Sequence, residues 1–221
     1  MTQHDSLRER FEQHAIKNNY SKIDDEKIKE AIDDVILILT EAYPNHKFSH
    51  KANLMFKDIE KYCGRAFNID FDYSMRKIIP DGGVIWMDNK YPIVLAEMKR
   101  QGTNDERMNE GKKKQATGNA IERLGKNLTG IKVLFENDTI LPFICFCWGC
   151  DFKEGTVLAK LYTLNSFYEL NHFYTGEENR YNKPFTILTK PESPFTREEL
   201  VWSLLQIAEK SIHYFEEKEG K

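Results

Sequence analysis

The spacing of apolar residues predicts two helices in the first third of the chain. Between Asp25 and Ala42 apolar residues recur at helical intervals, and Pro44 should end the helix. These residues are Ile28, Ile32, Val35, Ile36 and Leu39. A second helix is predicted over Lys51–Tyr62. Its inward side would be formed by Leu54, Met55 and Ile59.

The middle of the chain changes to strand-like patterns. Val84–Met87 and Ile93–Met98 are short and rich in β-favouring residues. Asp88 and Asn89 between them suit a turn, so a hairpin is predicted. Leu141–Trp148 is a continuous apolar run, which is typical of a strand covered on both faces.

The remaining segments complete the predicted fold. Gly102–Gly111 is polar and predicts a loop, Gln115–Leu128 a helix and Val157–Leu164 a strand. Thr196 and Glu199 form a capping-box pattern, which predicts the start of a C-terminal helix. This order predicts an α/β fold, with a mixed central β-sheet flanked by helices.

Composition limits the organisation and the partners of the chain. With 221 residues, of which 40% are hydrophobic, one domain spanning 1–221 is expected. Its polar N-terminal segment, 1–25, is expected either to be loosely ordered or to wrap around a binding partner. The net charge of −3 supplies no overall cationic field, so a polyanion would need a local basic patch. No apolar run approaches the roughly 18 residues that span a bilayer, so a cytoplasmic protein without a membrane partner is expected.

The cysteines allow two interpretations. Cys145, Cys147 and Cys150 stand in the sequence CFCWGC, and Cys63 is distant. The first two fall in the apolar strand, and their spacing differs from that of usual zinc motifs. Buried reduced thiols are therefore favoured over a structural zinc site completed by Cys63 or His172.

Two acids and a lysine on the predicted hairpin form a candidate catalytic group. Asp81 precedes the first strand, and Glu97 lies near the end of the second, so antiparallel pairing brings them to one end. Lys99 follows Glu97 by two residues and shares its face of the strand. Two carboxylates suit Mg²⁺, and an adjacent ammonium suits phosphodiester hydrolysis. The alternative is a plain turn followed by solvent-facing strand residues.

Two sequence segments carry a resemblance to a known family. PDGG (80–83) with AEMKRQG (96–102) resembles the signature of the PD-(D/E)xK nuclease superfamily. GNAIERLGKN (118–127) looks like the recognition-helix segment of EcoRI-type restriction endonucleases. The close resemblance covers the centre of the chain, and the ends match poorly. It implies a restriction-endonuclease-like core.

The resemblance implies roles for the residues of the hairpin. Asp81 and Glu97 would hold Mg²⁺, and Ala96 would add its backbone carbonyl. Lys99 would assist attack on the scissile phosphate. Glu60, in the predicted second helix, lies where some members of the superfamily place an additional acid.

The second segment implies how bases are read. Asn119 and Arg123 correspond to the family residues that read the adenines of an AATT centre, and both side-chain types suit base edges in the major groove. Gly118 and Ala120 would allow close approach to the bases. Glu122 would position Arg123 and would also accept a hydrogen bond from a base amino group. Without the neighbouring ExK pattern, the segment would favour a solvated helix start that contains an ion pair.

A local basic patch surrounds this helix start. Its side chains would contact DNA phosphates: Lys112, Lys113, Lys114 and Lys126. Arg100 and Gln101 follow the catalytic strand and are expected near the scissile strand.

The outer base pair of the site is left open. Thr117 stands where a related specificity uses an arginine, and Leu161–His172 contains no counterpart of the outer-pair arginines. Arg180 is a possible substitute. The expected site is GAATTC-like or has a degenerate outer pair.

The resemblance therefore predicts a type II restriction endonuclease that uses Mg²⁺ to cut double-stranded DNA at an AATT-centred palindrome, leaving 5′ overhangs. A palindrome suits a homodimer, and a cognate DNA methyltransferase is implied in the same cell. The alternatives are a PD-(D/E)xK nuclease of DNA repair or branched-DNA processing, and a non-catalytic DNA-binding module.

Overall fold

The computed structural model describes residues 3–64, 77–101, 104–113, 119–135, 137–138, 140–153, 155, 157, 159–160, 163 and 187–220. The helices are α1 (Gln3–Ala42), α2 (Phe56–Cys63), α3 (Asn104–Asn109), α4 (Asn119–Leu134) and α5 (Arg197–Glu219). The strands are β1 (Phe48–Lys51), β2 (Leu54–Met55), β3 (Lys77–Ile78), β4 (Gly83–Met87), β5 (Tyr91–Arg100), β6 (Phe143–Trp148) and β7 (Ile187–Lys190). A short 3₁₀ helix covers Cys150–Lys153.

The main sheet is mixed and has five strands in the order β1-β4-β5-β6-β7. β1, β4 and β5 pair antiparallel, whereas β6 and β7 continue the sheet in parallel. β2 and β3 form a separate antiparallel pair. All residues of β4 and β6 are buried because both faces of the sheet are covered. The predicted α/β class, with a mixed sheet flanked by helices, is confirmed.

Different helices cover the two faces of β5, because side chains alternate along a strand. Ala96 points towards α1: a Cβ added to Gly82 would lie 2.8 Å from the Ala96 Cβ and 2.7 Å from Ile28 Cδ1. Glu97 points to the opposite face, where Asn127 of α4 contacts it. The C-terminal helix α5 packs against both α1 and β5. The end of β5 is therefore enclosed between α1 and α4.

The predicted hairpin is confirmed as β4 and β5. In its turn, Asp88 and Asn89 adopt left-handed conformations with φ of 55° and 52°. Asp and Asn tolerate this region better than most residues. Asp88 also accepts a hydrogen bond from the Lys47 backbone N–H at 2.8 Å, which ties the turn to the segment before β1.

The predicted C-terminal helix is confirmed with its capping box. The Glu199 N–H donates to Thr196 Oγ1 at 3.2 Å, and the Thr196 N–H donates to Glu199 Oε2 at 2.7 Å. Among the residues that the structure describes, no helix combines the length and the apolar character needed to cross a membrane.

The prediction of a helix over Lys51–Tyr62 was wrong at its start. Lys51 ends β1, opposite Val84, and Leu54 and Met55 form β2. The helix begins only at Phe56, because strand pairing takes the residues before it. Leu54 and Ile59 are nevertheless buried, as predicted.

Two other local predictions were wrong. Within the predicted loop Gly102–Gly111, the residues of α3 are helical, and Asn104 at its start is buried. In the predicted strand Val157–Leu164, the described residues are helical. There the Thr163 hydroxyl donates to the Ala159 carbonyl at 2.8 Å, a helical spacing. Val157 is buried while Ala159, which would share its face in a strand, is exposed.

The first and fourth helices were predicted with different bounds. α1 ends at Ala42, as expected, but it begins at Gln3 rather than Asp25. α4 continues to Leu134, beyond the predicted end at Leu128, because Ile131 and Leu134 extend its buried side. The single domain and the role of segment 1–25 stay predictions.

Candidate active site

Two glycines bring Asp81 beside Glu97. The Gly82 N–H donates to the Ala96 carbonyl at 2.9 Å, and Gly83 pairs with Ala96, so the start of β4 lies against the end of β5. Gly83 has φ of +74°, and an added Cβ would lie 2.6 Å from the Lys51 carbonyl oxygen. A residue with a side chain would be strained there. The close approach of β4 to its neighbours and the positive φ therefore explain why PDGG contains glycines.

The structure brings together the three candidate catalytic side chains. Lys99 Nζ donates to Asp81 Oδ2 at 2.9 Å and also contacts Glu97 Oε1. The Met98 N–H donates to Asp81 Oδ2 at 3.1 Å, and the Asp81 N–H donates to Glu97 Oε2 at 3.2 Å. The ammonium thus lies between the two carboxylates, and backbone donors hold both acids in place.

Burial differs sharply within this group. The side chain of Glu97 is 1% exposed and that of Lys99 14%, whereas Asp81 is 34% exposed. Asp81 therefore faces solvent, and Glu97 forms the floor of the site. Two carboxylates and one ammonium leave the group with net negative charge when all three are ionised.

The electrostatic environment follows from this burial. Burial raises the pKa of Glu97, and the Asp81 carboxylate adds to this effect, while Lys99 opposes it. Burial by itself would lower the pKa of Lys99, but Glu97 and Asp81 together outweigh it and raise that pKa above its ordinary value. Lys99 is therefore an ammonium at neutral pH.

A third acid lies near this group and was missed from the sequence. The pKa of Asp25 is raised by burial and then by the charge of Asp81, and Lys99 acts on it in the opposite direction. Asp25 is one turn of α1 before Ile28, the residue that lies beside Gly82. The sequence could have indicated this position, because Asp25 and Ile28 are three residues apart and therefore lie on one face of the helix. Glu60, the acid predicted from the family pattern, is on α2, and its role stays a prediction.

The donor set suits a hard divalent cation. Carboxylate oxygens are the protein ligands that Mg²⁺ takes, in ones or twos, while it keeps several waters. Asp81 and Glu97 offer such oxygens at one place, with the net charge to attract a cation. Among the described residues, no group of three or more His, Cys, Asp or Glu residues is arranged to hold a metal. The predicted metal role of the Ala96 carbonyl stays a prediction, and that oxygen already accepts the Gly82 N–H.

The described part of the predicted recognition segment lies on α4, directly beside the candidate catalytic group. Arg123 is exposed, whereas Ile121 and Leu124 are buried, so the helix presents Arg123 outward. Asn127, four residues after Arg123, donates from Nδ2 to Glu97 Oε1 at 2.9 Å. Gly118 lies outside the described residues. The same holds for the side chains of Asn119, Ala120 and Glu122.

The predicted basic patch is described only in part. Lys112 pairs with Glu110 at 2.9 Å, and Lys113 is exposed. Lys114 and the side chain of Lys126 lie outside the described residues, as do Thr117 and Arg180. Phosphate contacts by these lysines stay predictions.

Arg100 and Gln101 extend the site beyond β5. The Arg100 guanidinium lies over the Trp148 ring, 4.7 Å from its centroid, and Trp148 Nε1 donates to Asp24 Oδ2 at 3.1 Å. The Gln101 N–H donates to the Trp148 carbonyl at 2.9 Å. This packing fixes the chain just after Lys99.

Two of the cysteines pack beside β5. Cys145 and Cys147 are buried and pair with Glu97 and Lys99 across the sheet, with their sulfur atoms 3.6 Å apart. Burial raises the pKa of the Cys145 thiol. Cys63 is in no disulfide, and its thiol donates to the Leu134 carbonyl at 3.5 Å. His172, the other residue considered for zinc, lies outside the described residues.

Comparisons with known proteins agree on one family. A sequence model of the family described as Restriction endonuclease EcoRI matches residues 12–161, which include the whole β4–β5 hairpin and α4. The chain is 28% identical over 144 residues to the type II restriction enzyme RsrI of Cereibacter sphaeroides, covering 58% of this chain and 52% of that protein. It is 26% identical over 160 residues to the type II restriction enzyme EcoRI of Escherichia coli, covering 64% of this chain and 57% of that protein. The matches thus span about half the length of these curated relatives.

Proposed function

Since this chain belongs to the EcoRI restriction endonuclease family, we propose that it is a type II restriction endonuclease that hydrolyses double-stranded DNA with Mg²⁺. One observation carries the proposal: Asp81, Glu97 and Lys99 converge at the end of the β4–β5 hairpin, where the lysine contacts both acids. Each of the three has a use in phosphodiester hydrolysis, and a plain turn gives no reason for such convergence.

Each of the three residues would have a different role in the reaction. Asp81 and Glu97 would hold the metal, which supplies a Lewis acid to polarise the scissile phosphate and acidify a water. The Lys99 ammonium offsets the negative charge that develops on the phosphate, because its raised pKa keeps it protonated. Asp81 is the more exposed acid, so the phosphate approaches from its side, and Glu97 anchors the buried side of the site.

The start of α4 is proposed to recognise the DNA sequence. Asn119 and Arg123 would read an AATT centre, with Gly118, Ala120 and Glu122 supporting them, and the neighbouring lysines would contact phosphates. A palindromic site suits a homodimer that leaves 5′ overhangs. The identity of the outer base pair of the recognition site is left open. We also propose that the protein is located in the cytoplasm and that a cognate DNA methyltransferase is present in the same cell.

Digestion of a plasmid of known sequence tests this function. The full chain is incubated with the plasmid and Mg²⁺, with an EDTA control, and the fragment ends are sequenced. We expect fragments with a shared AATT core and 5′ extensions, and no cleavage in EDTA. Random ends would favour a repair-type nuclease, and absence of cleavage would favour a non-catalytic DNA-binding module.

Substitutions assign the activity to the proposed site. Asp81→Ala and Glu97→Ala should abolish cleavage while specific DNA binding survives, because the carboxylates serve the metal rather than the bases. Asp33→Ala, which removes an exposed carboxylate from the last third of α1, is the matched control and should cleave normally. Normal turnover by either active-site variant would refute the assignment.

A further inference from the structure

Asn127 is a side chain from outside the hairpin that holds a catalytic carboxylate. Its Nδ2 lies 2.9 Å from Glu97 Oε1, the same oxygen that Lys99 contacts. Glu97 Oε2 accepts the Asp81 N–H at 3.2 Å. Two of these donors therefore belong to the catalytic segments themselves, and the third comes from α4.

The position of Asn127 on α4 is set by packing. Four neighbouring residues on the inner side of the helix are fully or almost fully buried: Ile121, Leu124, Leu128 and Ile131. Asn127 follows Arg123 by four residues and Asn119 by eight, so the three positions lie along one line of the helix surface. One end of this line carries the proposed base-reading residues, and the other end reaches Glu97.

We propose that Asn127 is a positioning residue, which holds the Glu97 carboxylate in the orientation that binds the metal. The inference rests on the proposed nuclease function. When Lys99 turns towards a phosphate, Glu97 Oε1 loses its contact with the ammonium, and the Asn127 amide then keeps that oxygen in place. Side chains that orient metal ligands in this way set metal affinity without touching the metal.

Three variants test this role, with four measurements that include the melting temperature of each. Asn127→Leu removes the donor at similar volume, and Asn127→Gln keeps an amide. Asn137→Leu makes the same change at an exposed position after α4 and is the control. Mn²⁺ affinity is measured calorimetrically without DNA, DNA affinity in Ca²⁺, and cleavage as kcat and KM separately.

The expected result separates positioning from folding. Asn127→Leu should lose roughly tenfold or more in Mn²⁺ affinity and in kcat, the usual range for residues that orient metal ligands. Its DNA affinity, KM for DNA and melting temperature should match those of the wild type. Asn127→Gln should recover part of the lost metal affinity, and Asn137→Leu should behave as the wild type.

Other results would overturn the inference. Unchanged metal affinity in Asn127→Leu would do so, and so would a fall in DNA affinity and melting temperature that accounts for the lost cleavage. If the wild type binds Mn²⁺ but cleaves no DNA, the proposed function fails, while calorimetry still decides the role of Asn127. If the wild type binds no metal, both fail.

Discussion

Removal of the Lys99 ammonium should destabilise the protein in a way that depends on pH. In Lys99→Met the stem of the side chain is kept, but Glu97 stays buried without the cation that contacts it. Loss of one partner of a buried ion pair costs about 3–5 kcal/mol when the other charge is left unpaired. The Asn127 amide and the Asp81 N–H still solvate Glu97, so the cost should lie near the lower end, about 3 kcal/mol, at pH 8.

Protonation of Glu97 should remove most of this cost at low pH. Burial already raises the pKa of Glu97, and loss of Lys99 raises it further. A carboxyl whose pKa is raised in the folded state makes stability fall as pH rises from its unfolded pKa, about 4.3, through the folded value. The stability difference between variant and wild type should therefore be small near pH 4.5 and largest above neutrality.

Urea unfolding without metal at pH 4.5 and pH 8 measures this difference. In thermal unfolding, the same loss of about 3 kcal/mol should lower the melting temperature by roughly 6–12 °C for a chain of this size. Lys153→Met is the control, because Lys153 pairs with Glu192 on the surface at 3.0 Å and both side chains are exposed. The reasoning is refuted if Lys99→Met loses the same stability at both pH values, or loses none.

Two further predictions concern residues that stabilise the fold around the candidate site. Burial lowers the pKa of His46, but hydrogen bonds with Asp88 and Glu216 outweigh it and raise that pKa. The stability that His46 contributes is therefore complete below about pH 6.5 and is lost as pH rises through the folded pKa. Denaturation across pH 5–9 should show this slope in the wild type and not in His46→Gln, and an equal slope in both would contradict it. Gly83→Ala should cost about 2 kcal/mol or more, because φ is +74° and the new Cβ would lie 2.5 Å from His50 Nε2. Gly155→Ala meets nothing within 4 Å and should be neutral, so equal melting temperatures for both alanine variants would argue against strain at Gly83.

Periodicity over long segments was a sufficient guide to the main elements. The β-favouring run Ile93–Met98 became part of β5, the continuous apolar run became the fully buried β6, and Thr196 with Glu199 formed the expected cap. Short segments were less predictable: Lys51 and Leu54 joined strands because partners were available across the sheet, and Val157 lies in a helical stretch. Their partners are distant in the chain, so local spacing carries little information about them.

The sequence by itself determined which residues form the candidate catalytic group. Asp81, Glu97 and Lys99 could be grouped in advance, because a hairpin has a short loop and a strand a period of two. Only the tertiary structure decided what surrounds them. Asn127 is 30 residues from Glu97, and Asp25 lies on α1, so their approach depends on how α4 and α1 pack on opposite faces of β5. Burial of Glu97, and with it the raised pKa, likewise follows from that packing, because desolvation is a property of the whole neighbourhood rather than of a motif.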